Sequence, residues 1–155
     1  MRSTITPTNI AAAIFKRLMR VIALIGFIEL VSLPASAEES VLRSIEHRSN
    51  QLTDLSDLIW DLSEVGYQET QSSKALKSAL SAEGFVIESP VANIPTAFIA
   101  SYGSGEPVIA VMGEFDALPG ISQAAVPYPQ PVEGKHSAQA CGHHLFGAGS
   151  LGAAI

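Results

Sequence analysis

The feature that most constrains this chain is a change in the period of its apolar residues. From residue 39 to about 62 they recur at helical spacing: Val41, Leu42 and Ile45, then Leu52, Leu55, Ile59 and Leu62. Glu46, His47, Arg48, Asp54, Asp57 and Asp61 fall between them and suit a solvated face, which leaves His47 a surface residue without a role. Trp60 reads as a packing residue, and Gly66 as the end of the helix. A second helix is expected over 70–82, with Ala75, Leu76 and Leu80 inward and Gly84 as its stop. The period then shortens. Residues 85–87, 96–102 and 107–112 are strand candidates, and Gly103-Ser104-Gly105-Glu106 is a hairpin turn by composition. The run from Pro107 to Met112 is so continuously apolar that both faces of that strand should be covered. Helices plus a buried strand predict a layered α/β domain.

A length of 155 residues allows one ordinary domain. Charge divides it unevenly. Residues 1–37 hold Arg2, Lys16, Arg17 and Arg20 against Glu29, whereas the other 118 residues hold five basic and fourteen acidic side chains, a net of −9. A body this acidic, with no cluster of Lys or Arg to neutralise phosphates, speaks against a nucleic-acid partner. One cysteine and no heptad pattern exclude a disulfide scaffold and a coiled coil.

The basic residues at the start precede the apolar run 21–28, a shorter run 30–33, Pro34 and then Ala35-Ser36-Ala37. Basic region, short apolar core and small-x-small exit are the parts of a secretory signal peptide, with cleavage expected after Ala37. The apolar stretch is too short for a span of roughly 20 residues, so no stable membrane anchor is expected. The mature chain, 38–155, is then exported, to a periplasm or outside the cell. There an unpaired Cys141 must pair with another chain, sit buried or bind a metal.

Two places concentrate reactive side chains. Glu114 and Asp116 follow the third strand candidate, and ligands bind at the carboxyl ends of strands in α/β sheets. Their spacing of two puts both carboxylates on one side if extended geometry continues through Phe115, although a solvated strand exit would look the same. The other place is Cys141-Gly142-His143-His144. A thiolate and an imidazole two apart can converge in a turn, for which Gly142 supplies the backbone freedom. Sulfur and nitrogen donors together suit Zn²⁺ or a related ion, and a buried thiol beside surface histidines is the alternative. His136 lies in the irregular stretch 121–140, and His144 is expected to point away from His143. The final stretch, from 145 to Ile155, has helical apolar spacing. Three glycines between 147 and 152 disfavour it by about 1 kcal/mol each, unless they pack against close neighbours.

Together these segments resemble the metal-dependent amidohydrolase and aminoacylase family of peptidases. The likeness is carried by Asp57-Leu58-Ile59-Trp60-Asp61 with Gly66-Tyr67-Gln68-Glu69, by 94–103, by Gly113-Glu114-Phe115-Asp116-Ala117-Leu118-Pro119-Gly120 and by Cys141-Gly142-His143, in that order over most of 52–155. The resemblance implies the N-terminal part of a zinc-peptidase-like catalytic domain, helices packed on a mixed sheet, and incomplete at 155 residues. It implies that Cys141 and His143 ligate a divalent metal, Zn or Mn, with Asp116 as a catalytic residue beside it. The implied reaction is hydrolysis of the amide bond of a small N-acyl amino acid by a metal-activated water. His144 stands where the family usually has Asn or Asp, and Gln139 where it often has His. The family's paired glutamates, further histidine ligands and dimer-forming domain would lie past residue 155. Two protein ligands also fall short of the three expected at a catalytic zinc. The isolated chain is therefore expected to be inactive, with oligomerisation left to the missing domain. A non-catalytic exported module that binds something else is the alternative.

Overall fold

A computed structural model describes residues 37–155, which fall into two units divided after Glu46. All but the last residue of the expected signal peptide, 1–36, lies outside the described residues. Among the described residues helix α1 covers 37–62. In the first unit its described residues, 37–46, leave Val41, Leu42 and Ile45 exposed, contrary to the inward face expected of them, and Arg43 pairs with Glu39 one turn earlier at 2.9 Å. No helix among the described residues is long and apolar enough to cross a membrane.

The second unit, His47–Ile155, contains the core. Here the helical spacing of α1 does what the sequence leads one to expect: Leu55 and Ile59 are buried, and Leu52 packs beside them. The helix stops at residue 62, short of Gly66, because Ser63 takes a left-handed turn at φ 43°. Its N–H donates to the Ile59 carbonyl at 3.0 Å and its hydroxyl to the Trp60 carbonyl at 2.6 Å. A polar side chain thus satisfies a terminal carbonyl that a glycine would leave to water.

Helix α2 is Thr70–Ala82, as its spacing predicts, with Leu76 and Leu80 buried. The residue before it supplies no side-chain cap. Instead the Glu64 carboxylate accepts from the N–H groups of Gln71 and Ser72 and from the Ser72 hydroxyl, at 2.8 to 3.1 Å. A carboxylate at the positive end of the helix dipole satisfies otherwise orphaned donors. Burial alone would push the Glu64 pKa up, but these hydrogen bonds outweigh it and hold the carboxyl below its ordinary value. Gly84, at φ 89°, ends the helix where expected.

Strands β1, Val86–Glu88, and β2, Ile99–Ser101, pair antiparallel with Ile87 opposite Ala100. The connection between them is tied to α2: Ser73 donates to the Thr96 carbonyl, and the Thr96 hydroxyl to the buried Glu69 carboxylate, both at 2.6 Å. The hairpin therefore joins the first and second strand candidates, and Gly103–Glu106 is not its turn. The third candidate does not form. Residues 107–112 pair with no strand among the described residues, and Val108, Ile109 and Met112 are 77%, 85% and 79% exposed. A strand buried on both faces needs hydrogen-bonding neighbours and covering layers, and the described residues supply neither.

Strands β3, Leu118–Pro119, and β4, Ser137–Ala138, form a second antiparallel pair that closes the irregular stretch between them. A single parallel bridge joins Val65 to Ala117. Among the described residues the sheets are two separate antiparallel pairs, in place of the expected mixed sheet. Helix α3, His143–Ala154, completes the core with Ala148 and Leu151. Two of its glycines, Gly147 and Gly152, permit close approach. A Cβ on Gly147 would lie 3.1 Å from the Glu114 carbonyl oxygen and the Phe115 Cβ, and one on Gly152 2.8 Å from Leu52. The class is mixed α/β, with three helices around one apolar cluster among the described residues.

Candidate functional site

The extended segment 113–117 crosses the N-terminal part of α3. Phe115 packs inward against the core and lies 6.2 Å from the Phe98 ring, so the alternation of extended backbone sends Glu114 and Asp116 to the opposite side. The end of the segment is fixed by the Ala117 N–H, which donates to the Glu64 carbonyl at 2.8 Å. Glu64 thus caps α2 with its side chain and anchors the chain just after Asp116 with its backbone.

The facing wall is the turn into α3. Gln139, buried, donates to the Phe115 carbonyl at 3.4 Å and accepts from the His144 N–H at 3.1 Å, spanning the two sides. Gly142 adopts φ 75° and turns the chain so that His143 opens the helix. There the imidazole meets both carboxylates: Nδ1 lies 2.8 Å from Asp116 Oδ1, and Nε2 3.0 Å from Glu114 Oε2. The side chains of His143, Asp116 and Glu114 are 22%, 34% and 57% exposed. A neutral imidazole has one N–H, so it can donate to one carboxylate at a time, and to both only as the imidazolium.

His144 points elsewhere, as expected. Its ring meets Trp60 edge-on at 5.0 Å, which gives that tryptophan its packing partner. Burial pushes the His144 pKa down, with Asp57 pulling it back up, and its Nδ1 is buried without a hydrogen-bond partner. Cys141 is a free, exposed thiol. His136 and His47 are exposed, and His136 contributes its carbonyl to the Gly120 N–H.

Sulfur and nitrogen donors have the right chemistry for a divalent metal, but the arrangement does not fit one as it stands. Among the described residues no three His, Cys, Asp or Glu side chains converge on a common position, and both nitrogens of His143 face carboxylates. Glu114 and Asp116 do share one side, and their spacing of two is the signal for it. The family likeness alone brings Asp116 near His143; nothing in the local pattern marks the ring as shared with Glu114, or Gln139 as the bridge between the walls. Long-range pairing of this kind leaves no local trace.

No known family profile matches the chain. Two curated relatives do. One is a subunit of the p-aminobenzoyl-glutamate hydrolase of Escherichia coli strain K12, 45% identical over 113 residues, which is 72% of this chain and 24% of that protein. The other is the IAA-amino acid hydrolase ILR1-like 5 of Arabidopsis thaliana, 35% identical over 92 residues, 59% of this chain and 20% of that one. The chain thus spans about a quarter or less of the length of the curated relatives it matches. These matches agree with the likeness carried by the chain's ordered segments and support an amidohydrolase family.

Proposed function

We propose that this chain supplies the N-terminal part of an exported amidohydrolase, one that cleaves the amide bond of a small N-acyl amino acid resembling p-aminobenzoyl-glutamate. The match to a hydrolase whose name carries that substrate is the observation that carries the reading. The Asp116–His143 contact supports it from the structure. An imidazole held through Nδ1 by a carboxylate has its direction set in advance, which is how carboxylates aim ligating histidines. Asp116 does that work here.

A divalent metal, Zn or Mn, with Cys141 and His143 among its ligands belongs to the same proposal. It requires one His143 nitrogen to be freed. The finer fold belongs to it as well: in a complete zinc-peptidase-like domain, residues 107–112 would become an interior strand once neighbours flank them. The test is a graft. The matched part of this chain replaces the corresponding 113-residue segment of the Escherichia coli relative, and the product is assayed on p-aminobenzoyl-glutamate. Hydrolysis, lost on His143→Ala, is the expected result. A soluble, folded graft without hydrolysis would overturn the proposal.

A further inference from the structure

The Asp116–His143 contact joins two walls that are far apart in sequence, and both walls are fastened to one short connector. This connector, 61–65, runs from the end of α1 toward α2. Its backbone carbonyls accept three donors: the Lys135 ammonium at Asp61, the Ser137 hydroxyl at Ser63 and the Ala117 N–H at Glu64, at 2.9, 2.5 and 2.8 Å. The parallel bridge from Val65 to Ala117 is a fourth tie. Ala117 directly follows Asp116, and Ser137 lies in the strand that leads to the His143 turn. The connector does not take this course by backbone preference. Ser63 and Tyr67, on either side of Glu64, have φ of 43° and 67°, a region that side chains disfavour. Such angles persist where surrounding contacts impose them. The contacts at hand are those of the Glu64 carboxylate with Gln71 and Ser72, and Ser72 is fully buried in α2.

We infer that Glu64 is a positioning residue for the Asp116–His143 contact: its carboxylate, gripped by the first turn of α2, sets the course of the connector from which both walls hang. With the grip released, the connector relaxes toward ordinary backbone angles, and the Glu64 carbonyl carries Ala117 and Asp116 with it. His143 is tied to the connector at another point, through Ser137 and the Ser63 carbonyl, so the two walls do not shift together. The distance between carboxylate and imidazole is what changes. A carboxylate is suited to this grip because it accepts at both oxygens. Glutamine would turn an NH2 donor toward N–H groups, and aspartate would keep the charge one methylene short. This role rests on the proposed function only in counting the contact as part of the working site.

The test is magnetic resonance on the full chain, isotope-labelled at the histidine ring nitrogens, the backbone amides and the leucine methyls. Glu64→Gln and Glu64→Asp should both shift the His143 ring nitrogens. They should also speed exchange of the Ala117 N–H by roughly fivefold, the equilibrium weight of a lost helix cap. Ser72→Ala keeps Glu64 but removes one of its donors, and should move the same signals in the same direction by less. Ser78→Gly weakens α2 on its exposed side, away from the grip, and should leave the His143 ring where it is. Methyl signals of the buried Leu76 and Leu80 check that the core stays formed, and if either Glu64 variant loses them, Ser72→Ala decides. A His143 ring unmoved by Ser72→Ala and by a folded Glu64 variant would overturn the inference and leave Glu64 a helix cap only. Equal shifts from Ser78→Gly would overturn it too, since any loosening of α2 would then suffice. Ring signals read the contact and not hydrolysis, so an inactive graft with the shifts present overturns the proposed function alone.

Discussion

Two stretches of this chain are similarly apolar and end in opposite surroundings. Leu55 and Ile59 of α1 meet Leu76 and Leu80 of α2 and Leu151 of α3, and are buried. Val108, Ile109 and Met112 form an equally apolar run and are exposed. The difference lies in who completes the contact. An amphipathic helix needs one apolar face opposite its own, and the next helix in sequence can provide it. An interior strand needs a partner on each edge and a layer on each face, most of which come from far away in sequence. Apolar content states a demand for cover; it does not name the segment that meets it.

Substitution in the two stretches should expose the contrast most sharply. Ile59→Ala is expected to destabilise the fold by roughly 2–5 kcal/mol in urea unfolding, through lost contacts and a residual cavity. Ile109→Ala should stay within about 0.5 kcal/mol. A large loss at Ile109 would show that the run is covered in solution and break the comparison.

The glycines of α3 sharpen it at smaller scale. Gly147→Ala pushes a methyl to 3.1 Å from the Glu114 carbonyl, a backbone atom with little room to yield. Overpacking of roughly 1–3 kcal/mol should exceed the helix preference that alanine gains. Gly149 has nothing within 4 Å of its added Cβ, so Gly149→Ala should raise the melting temperature, by up to about 1 kcal/mol of stability. Melting shifts of opposite sign at two glycines of one helix are the expected outcome.

Glu64 supplies the pH dependence. Its folded pKa is depressed, so its contribution is present above the unfolded carboxylate value and fades as pH falls through the lower folded one. Glu64→Gln should cost about 1 kcal/mol near neutrality, as the loss of a helix cap does. The gap from the parent chain should narrow on acidification; a gap constant with pH would show that charge is not what the carboxylate contributes. Smallest of all is the exposed pair in the first unit. Glu39→Gln should change stability by no more than about 0.5 kcal/mol.

The helices are legible in the sequence because their signal is local. The apolar spacing of α2 and its glycine stop mark its bounds, and the small residues of α3 call for the close neighbours it has. The end of α1 is the exception, since a serine accepts the left-handed turn that Gly66 looks built for. Strand pairing is the least legible part. Residues 85–87 and 96–102 are visible as extended, but their choice of each other depends on Ser73, Thr96 and Glu69, brought together by α2. At the site, the spacing of Glu114 and Asp116 is readable, whereas the ring they share stands 27 residues downstream of Asp116.

The short ladder of β3 with β4 has a consequence for how this protein can vary. It knots the chain just after Asp116 and again just before the turn to His143, and the Ser137 hydroxyl fastens the knot to the Ser63 carbonyl at 2.5 Å. Residues 121–134 lie outside that knot, with internal bonds between Ser122 and Val132 and between Ala124 and Gln130, while the Lys135 ammonium beside the knot donates to the Asp61 carbonyl at 2.9 Å. Lengthening such a tethered loop is cheap, about 0.6 kcal/mol for each doubling. Insertions and deletions can therefore accumulate there without shifting the distance between the carboxylates and the imidazole. The molecule separates a part it can edit from a part it must keep in register, and the stitch between them is two residues wide.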